Sequence, residues 1–169
     1  MSEKNLSAGT VLAALEEIGA MQWGLVTTGQ AQQAGIERVW LSRLLDRGVI
    51  HRVRHGVYAL PSATHGPFQE LQAAWLATDR TQTLEERVIG NNDVVVSHIS
   101  ASNVHELGDI VAVRHEFSSP QRRQTAQQDV YFYRRKLNPE DVVLKDGLPL
   151  TSVPRTIADL AALHIDFDH

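Results

Sequence analysis

Residues 24–60 constrain the fold most, because glycines divide them into short segments with different periodicities. The first segment ends at Gly35 and predicts a short helix, which the side-chain oxygen of Thr27 or Thr28 can cap. The next segment, residues 37–47, repeats apolar side chains at helical spacing and is followed by another glycine, as is typical of a helix C terminus. The pattern therefore predicts two short helices joined by a tight turn.

Further helix- and strand-forming segments flank this pair. Residues 10–20 predict an amphipathic helix, and the β-rich runs 49–50 and 57–60 surround the polar tip 52–56, which predicts a hairpin. A helix, a helix-turn-helix pair and a basic hairpin are the parts of a winged helix-turn-helix domain, which we assign to residues 1–60. In such domains the second helix of the pair lies in the major groove of DNA, and the wing reaches the backbone or an adjacent groove.

Charge is unevenly distributed along the chain. The 169 residues carry a formal net charge of −4, yet residues 24–60 hold five arginines against two acidic residues. Residues 112–136 hold six basic residues against two acidic ones. Phosphate binding depends on the field within about 8–10 Å, the Debye length at physiological salt. The acidic average therefore does not exclude a nucleic-acid partner.

Candidate DNA contacts follow from the winged-helix pattern. Arg38 and Arg43 are five residues apart and diverge by about 140° around a helix, so one can read a base edge while the other contacts a phosphate. On the hairpin, Arg52 and Arg54 are two residues apart and are expected to share one strand face. The alternative for all of them is an ordinary solvated surface. The predicted DNA-binding residues are Thr28, Gln30, Arg38, Ser42, Arg43, Arg52, Arg54 and His55.

The basic segment at residues 112–136, here called the second basic strip, has two interpretations that stay open. Its cations can extend the phosphate contacts or dock an RNA-bearing partner. They can instead form a solvated edge that keeps a strand at residues 130–133 from pairing with other chains. The candidate residues of this strip are Arg114, Arg122, Arg123, Arg134, Arg135 and Lys136.

The rest of the chain predicts a small mixed α/β domain at residues 67–169, after a linker at 61–66. Its first helix, about 67–78, is expected to pack in a second core. The other predicted elements are strands at 94–96, 110–113 and 130–133, a hairpin at 142–150, and a last helix that starts after Thr151 or Ser152. The predicted fold class is therefore α+β, with an N-terminal winged helix-turn-helix followed by this domain.

Catalytic and metal sites are not expected. The absence of Cys excludes disulfides, thiol nucleophiles, iron–sulfur centres and Cys-ligated zinc. An endonuclease-like site needs an acidic residue two positions before a lysine, but the residues two before Lys4, Lys136 and Lys145 are Ser2, Arg134 and Val143. No carboxylate at typical ligand spacing completes a zinc site with either histidine pair, His98 and His105 or His51 and His55. We expect no enzyme activity, no cofactor and no metal.

The chain also indicates a cytoplasmic protein. The lack of Cys fits a reducing compartment. Residues 1–23 carry Glu16 and Glu17 inside their apolar stretch, so this segment is predicted to be neither a signal peptide nor a membrane span. No membrane partner is expected.

Three segments resemble AbiEi-type antitoxins of type IV toxin–antitoxin systems. Residues 24–60, and above all the run from Gly48 to Leu60, resemble the N-terminal domain of that family. Residues 96–108 are similar to its pattern of Ser-His, Ala, His and Leu-Gly. Residues 146–161 resemble its signature Gly-Leu-Pro-Val-Thr-Ser-Pro-Ala-Arg-Thr-Leu-Asp-Leu, the most specific of the three, which related proteins with an endonuclease-like domain share.

The resemblance implies a two-part protein with two partners. The winged helix would bind inverted repeats in the promoter of its own operon and repress it, an arrangement that a homodimer on double-stranded DNA would match. The C-terminal domain would counter a nucleotidyltransferase toxin without necessarily forming a stable complex. The family pattern puts five residues at the DNA surface: Arg38, Arg43, Arg52, Arg54 and His55.

One departure from the family affects these implications. Many relatives have a longer C-terminal half, so the resemblance implies a short member of the family, a degenerate paralogue or a C-terminally truncated piece. It therefore supports DNA binding more than antitoxin activity. Two alternatives follow. The chain is a toxin-neutralising protein-interaction module whose DNA binding is vestigial, or it is the N-terminal portion of a protein with an endonuclease-like domain.

Overall fold

The computed structural model describes residues 6–90 and 94–167 and has the predicted α+β class. The chain divides into two compact units, Met1–Ile89 and Gly90–His169. Within the described ranges, every helix is too short or too polar to span a lipid bilayer.

The N-terminal unit contains three strands in an antiparallel sheet of order β1-β3-β2. Its elements are α1 (Ala8–Gly19), β1 (Leu25–Thr27), α2 (Thr28–Gln33), α3 (Arg38–Asp46), β2 (His51–Arg54), β3 (Val57–Ala59), α4 (Gln69–Ala77) and α5 (Leu84–Ile89). The predicted helix, helix pair and hairpin are present in that order, as α1, α2–α3 and the wing β2–β3, and β1 adds a third strand. The first strand of the wing is His51–Arg54, so the prediction of a strand at 49–50 with a tip from residue 52 is wrong.

One apolar core joins α1, α2 and α3 to this sheet. Val11 and Leu15 on α1, and Leu41 and Leu44 on α3, are spaced three or four residues apart, so each pair faces the same side of its helix. The other buried members are Val26, Ala31, Ile36, Ile50, Tyr58 and Leu60. Because the apolar side of α3 is used in this core, its polar side is left to face outward.

Helix α4 packs on the sheet of the N-terminal unit, whereas the sequence predicted it in a second core. Successive strand residues point to opposite faces, yet Val57 and Tyr58 are both buried, so both faces of the sheet are covered. Helix α4 contacts all three strands, and the ring of its buried Trp75 lies 6.3 Å from that of Trp23 in an edge-on arrangement. The predicted boundary at 61–66 therefore differs from the division after residue 89, because the second face of the sheet needs an apolar cover.

The C-terminal unit contains a five-stranded mixed sheet of order β6-β5-β4-β8-β7. Strands β5 and β6 pair in parallel, as do β4 and β8, while the other neighbours are antiparallel. Its elements are β4 (Val95–Val96), α6 (His98–Val104), β5 (His115–Ser119), β6 (Val130–Arg134), a short 3-10 helix (Pro139–Asp141), β7 (Val142–Lys145), β8 (Leu148–Thr151) and α7 (Val153–Phe167). This unit has the mixed α/β character predicted for the second part of the chain, over residues 90–169 rather than 67–169.

The strand predicted at residues 110–113 is wrong. This run is an irregular loop in which Val111 and Val113 are 77% and 89% exposed, and strand β5 begins only at His115. Strand β5 lies between β4 and β6 and buries Glu116 and its following residues. Its polar composition hides a central strand from a pattern based on apolar residues. Glu116 and Ser118 are buried and hydrogen-bonded inside the protein rather than solvated.

Candidate nucleic-acid interface

Helix α3 presents a polar side with two arginines. Leu41 and Leu44 are each 2% exposed and face the core, whereas Arg38, Ser42 and Arg43 are exposed. The guanidinium carbon of Arg43 lies 5.0 Å from the ring centroid of Trp40, a cation–π contact along the helix. In the described part of the chain, neither arginine forms an ion pair with an acidic side chain. Both positive charges are therefore available to a ligand.

Gln30 lies inside the protein, so the structure contradicts its predicted DNA contact. It is 3% exposed, and its Oε1 accepts hydrogen bonds from Gln22 Nε2 at 2.6 Å and from the Thr27 backbone N–H at 3.0 Å. The second bond is half of a capping box, in which the residue three positions after the N-cap folds back onto it. Gln30 therefore fixes the start of α2 instead of reaching a ligand.

Thr27 is the cap of α2, which decides between the two threonines allowed by the sequence. Its Oγ1 accepts from the Gln30 backbone N–H at 3.1 Å. Thr28 is half-buried and donates its backbone N–H to the Gly56 carbonyl at 3.0 Å. The start of α2 therefore contacts the tip of the wing, and the Thr28 side chain stays a predicted DNA contact.

The wing turns at His55 and Gly56, as predicted, with Gly56 at a positive φ of 77° that favours glycine. Arg52 is exposed, and its guanidinium carbon lies 5.8 Å from the ring of Tyr58, its neighbour across the hairpin. His55 is also exposed. Arg52 and His55 therefore keep their predicted positions on the wing surface.

Arg52 and Arg54 do not share one strand face, so that prediction is wrong. Arg52 pairs with Tyr58 but Arg54 pairs with Val57, which leaves one extra residue in β2 as a bulge. Side chains of paired residues lie on the same side of the sheet, and Tyr58 and Val57 point to opposite sides. The bulge thus turns the half-buried Arg54 away from the side that carries Arg52.

The second basic strip contains cations with different surroundings. Arg114 Nε donates to Glu116 Oε1 at 3.2 Å, and its guanidinium carbon lies 4.1 Å from the ring of Tyr131. Glu116 is 2% exposed, so Arg114 neutralises a buried carboxylate. Arg123 is half-buried, and the other five cations of the strip are exposed: Arg114, Arg122, Arg134, Arg135 and Lys136. Strand β6 lies at the edge of its sheet, as the solvated-edge interpretation requires, and phosphate contact stays a prediction.

The histidines considered for zinc have other contacts in the C-terminal unit. His98 is 1% exposed, stacks on Tyr133 with ring centroids 3.6 Å apart, and has Nδ1 2.8 Å from Ser97 Oγ. Burial, with repulsion from nearby arginines, lowers the pKa of His98 to about 4. His105 Nε2 donates to the Thr151 carbonyl at 2.7 Å. Residues 6–90 and 94–167 contain no group of three or more His, Cys, Asp or Glu side chains placed to hold a metal ion.

Arg80 lies beside the wing, although the sequence gave no reason to place it there. Its carbonyl accepts a 2.5 Å hydrogen bond from Thr27 Oγ1. A Cβ at Gly56 would lie 3.5 Å from the guanidinium carbon of Arg80. Arg80 follows α4, outside the segment predicted as the winged helix, and is 53 positions from Thr27. No local sequence pattern can reveal a contact over that separation.

Comparison with known proteins finds a family match for the part of the chain that contains the helix pair and the wing. A search of curated proteins finds no match. Residues 14–61 match the sequence model of a family described as "Transcriptional regulator, AbiEi antitoxin". This segment runs from within α1 to just after β3 and thus contains the helix-turn-helix and the wing. The resemblance to AbiEi-type antitoxins is therefore confirmed over residues 14–61.

Proposed function

We propose that this protein is a sequence-specific DNA-binding repressor of its own operon and the antitoxin of a type IV toxin–antitoxin pair. The observation that most supports DNA binding is helix α3, which buries Leu41 and Leu44 and exposes Arg38, Ser42 and Arg43. The family match over residues 14–61 supports the regulatory antitoxin role. Inverted repeats in the promoter would be bound by a homodimer, because the symmetry of such a site mirrors that of the protein.

In this proposal α3 enters the major groove and the wing contacts the backbone. Arg38, in the first turn of α3, reads a base edge, and a guanidinium can bind guanine O6 and N7 at once. Arg43, about 140° around the helix, and Arg52 on the wing contact phosphates. Recognition of this kind breaks no covalent bond, so the proposed role is not enzymatic and needs neither a cofactor nor a metal. The proposed compartment is the cytoplasm.

The proposed function of the C-terminal unit is to counter a nucleotidyltransferase toxin, with or without direct contact. A second candidate is a toxin-neutralising interaction module whose DNA binding is vestigial. The loop at residues 110–113 favours that candidate, because clustered exposed apolar side chains are typical of protein-binding surfaces. Ile110, Val111 and Val113 in this loop are 47%, 77% and 89% exposed.

A gel-shift titration of the full chain on the duplex upstream of its own gene tests the repressor. We expect a shift that prefers this duplex over a random duplex and weakens steeply with salt, because each phosphate contact releases a counterion. Absence of a salt-dependent, sequence-preferring shift would reject the repressor and favour the interaction module.

The variant Arg38→Ala tests whether Arg38 reads a base edge. Arg38→Ala should reduce the preference for the upstream duplex over the random one, by about 1–3 kcal/mol if a bidentate guanine contact is lost. Arg122→Ala, which removes an exposed arginine of the second basic strip, is the matched control and should leave the preference unchanged. Equal preference in wild type and Arg38→Ala would exclude Arg38 as a base-reading residue.

A further inference from the structure

We propose that Arg80 is a phosphate-contacting residue of the DNA interface, supplied by the loop between α4 and α5. The proposal rests on the DNA-binding function proposed above and extends the interface beyond the segment that matches the antitoxin family. Three features support it: the loop is anchored to the helix-turn-helix, its conformation is fixed internally, and the Arg80 guanidinium lies at the wing tip.

The loop is anchored to the helix-turn-helix by three hydrogen bonds that involve buried side chains. Thr27 Oγ1 donates to the Arg80 carbonyl at 2.5 Å, and Gln30 Nε2 donates to the Gln82 carbonyl at 3.0 Å. The backbone N–H of Leu84 donates to Gln22 Oε1 at 3.2 Å. The residues that cap α2 therefore also hold the loop that carries Arg80.

The approach of the loop to α2 also explains a glycine. A Cβ at Gly29 would lie only 2.5 Å from the Arg80 carbonyl oxygen, closer than real Cβ atoms come to a backbone atom. Any other residue at this position would push the loop away from α2. Gly29 thus permits the close contact that places Arg80 next to the winged helix.

Asp79 fixes the conformation of the loop from within. Its Oδ1 accepts from the Thr81 backbone N–H at 3.1 Å, from Thr81 Oγ1 at 3.0 Å and from the Gln82 backbone N–H at 3.4 Å. Burial raises the pKa of Asp79, but these hydrogen bonds and the positive charge of Arg87 outweigh that effect and hold the pKa below its usual value. The carboxylate is therefore ionised, and the turn that carries Arg80 persists at neutral pH.

The two arginines of this region are used differently. Arg87 is 2% exposed, and its Nη1 donates to the Trp75 carbonyl at 2.8 Å while its Nη2 donates to Thr78 Oγ1 at 2.6 Å. Arg80 is only half-buried, and within the described part of the chain its guanidinium forms no hydrogen bond or ion pair. Arg87 therefore stabilises the interior, whereas the charge of Arg80 is available to an anion.

The guanidinium of Arg80 lies against the tip of the wing. Its carbon and Nη1 are each 3.5 Å from the position of a Cβ at Gly56, and Nε is 3.6 Å from it. The Gly56 carbonyl also accepts the backbone N–H of Thr28 at 3.0 Å, so the start of α2, the wing tip and Arg80 meet at one place. Because wings contact the DNA backbone, a cation at the wing tip meets the same phosphates.

A fixed backbone makes this contact effective. An arginine on a mobile loop loses conformational entropy when it binds, whereas the loop of Arg80 is already ordered by its hydrogen bonds. A phosphate contact of this kind strengthens binding on every sequence and adds to the salt dependence, while it leaves base preference unchanged.

The test compares wild type, Arg80→Ala, Arg80→Lys and, as control, Lys145→Ala in the full chain; Lys145 is an exposed cation outside both basic segments. Binding to the upstream duplex and to a random duplex is measured by fluorescence anisotropy over a range of salt. Arg80→Ala should weaken binding about five- to tenfold on both duplexes. It should also make the negative slope of log K against log salt less steep by about 1. Arg80→Lys should keep most of the slope, and Lys145→Ala should match wild type. Because the anchors use the backbone of Arg80, circular dichroism melting should be unchanged in both Arg80 variants.

The outcomes separate this proposal from the proposed function. If wild type binds the upstream duplex preferentially but Arg80→Ala keeps its slope, Arg80 is not a phosphate contact and the repressor stands. If Arg80→Ala loses affinity only on the upstream duplex, Arg80 reads bases and the phosphate assignment is overturned. If wild type binds neither duplex in a salt-dependent way, both proposals fail.

Discussion

The arginines of the winged helix and those of the C-terminal unit have different neighbours. Arg43 and Arg52 lie over aromatic rings, at 5.0 Å from Trp40 and 5.8 Å from Tyr58. Arg114 also lies over a ring, 4.1 Å from that of Tyr131, but it donates to Glu116 at 3.2 Å, and Arg155 donates to Asp159 at 2.9 Å. Aromatic rings hold a guanidinium in place without cancelling its charge, whereas carboxylates neutralise it. Arginines held only by a ring therefore present a stronger positive field to a ligand than arginines paired with a carboxylate.

Two buried networks, one in each unit, also differ in charge. Neutral amides and hydroxyls of Gln22, Thr27 and Gln30 form the network around the start of α2. In the C-terminal unit, the buried Glu116 accepts from the Ile99 backbone N–H at 2.8 Å and from the Tyr133 hydroxyl at 3.1 Å, in addition to Arg114. Burying a charge costs more than burying an amide, so breaking the charged network should have the larger effect on stability.

The largest effect is therefore expected from Glu116→Ala. This change leaves the Tyr133 hydroxyl and the Ile99 N–H without their acceptor and Arg114 without its partner. We expect a loss of about 3 kcal/mol in the free energy of unfolding, since removal of one member of a buried charged network is strongly destabilising. Urea unfolding followed by circular dichroism measures it, with the exposed Glu140→Ala as control. Equal stability of the two variants would show that the buried carboxylate of Glu116 does not contribute to the free energy of unfolding.

The second effect is a pH dependence caused by His98. Its pKa is lowered to about 4 by burial, and then by repulsion from Arg135, Arg155 and Arg114. Between pH 6.5 and pH 4 the unfolded chain binds a proton that the folded chain does not, so stability is full above pH 6.5 and falls as the pH drops. We expect a loss of about 2 kcal/mol over this range.

Urea unfolding at several pH values measures this loss, and His98→Asn is the matched variant. Asn is suitable because His98 has a positive φ of 54°, which Asn tolerates better than most residues. The pH dependence of wild type minus that of His98→Asn isolates the imidazole from the other titrating groups. A difference that stays flat from pH 7 to pH 4 would contradict the lowered pKa.

A smaller effect is expected in the neutral network. Gln30→Ala removes the acceptor of the Gln22 amide and of the Thr27 N–H, and we expect it to cost about 1.5 kcal/mol. Tryptophan fluorescence is a suitable probe, because all three tryptophans lie in the N-terminal unit. The exposed Gln33→Ala should change stability by less than about 0.5 kcal/mol. A similar loss in both variants would assign the effect to helix propensity rather than to the buried hydrogen bonds.

The smallest effect concerns the field that each arginine presents to DNA. Arg52→Ala should make the negative slope of log K against log salt less steep by about 1, because one phosphate contact is lost. Arg114→Ala should leave this slope unchanged, since its charge neutralises Glu116. Salt titrations by fluorescence anisotropy on one duplex compare the two directly. A reduced slope in Arg114→Ala would make the second basic strip part of the nucleic-acid surface.

Local patterns predicted the elements of the winged helix well. Helix α3, expected at 37–47, spans Arg38–Asp46, because three- and four-residue spacing of leucines and a terminal glycine are local signals. The hairpin and its second strand were predicted from local signals too, but its first strand is His51–Arg54 rather than 49–50. Arg38, Arg43, Arg52 and His55 were accordingly found on the surface, as the pattern required.

Other features depended on partners far along the chain. The bulge that separates Arg52 from Arg54 arises in the pairing of β2 with β3, and period-two reasoning within β2 alone misses it. Gln30 looked like a polar surface residue because its acceptor Gln82 lies 52 positions away. The central strand β5 looked like a loop because its buried carboxylate, Glu116, is satisfied by residues of other elements.

The sequence by itself determined the helices α1 to α3, the presence of a hairpin after them and which arginines they carry, because caps, glycine turns and amphipathic spacing act over a few residues. Only the tertiary structure decided what each arginine contacts. It placed α4 on the open face of the sheet, and it brought the loop of Arg80 to Thr27 and the wing tip. Burial of apolar faces and pairing of buried polar groups are satisfied between distant segments, so no window of the sequence contains them.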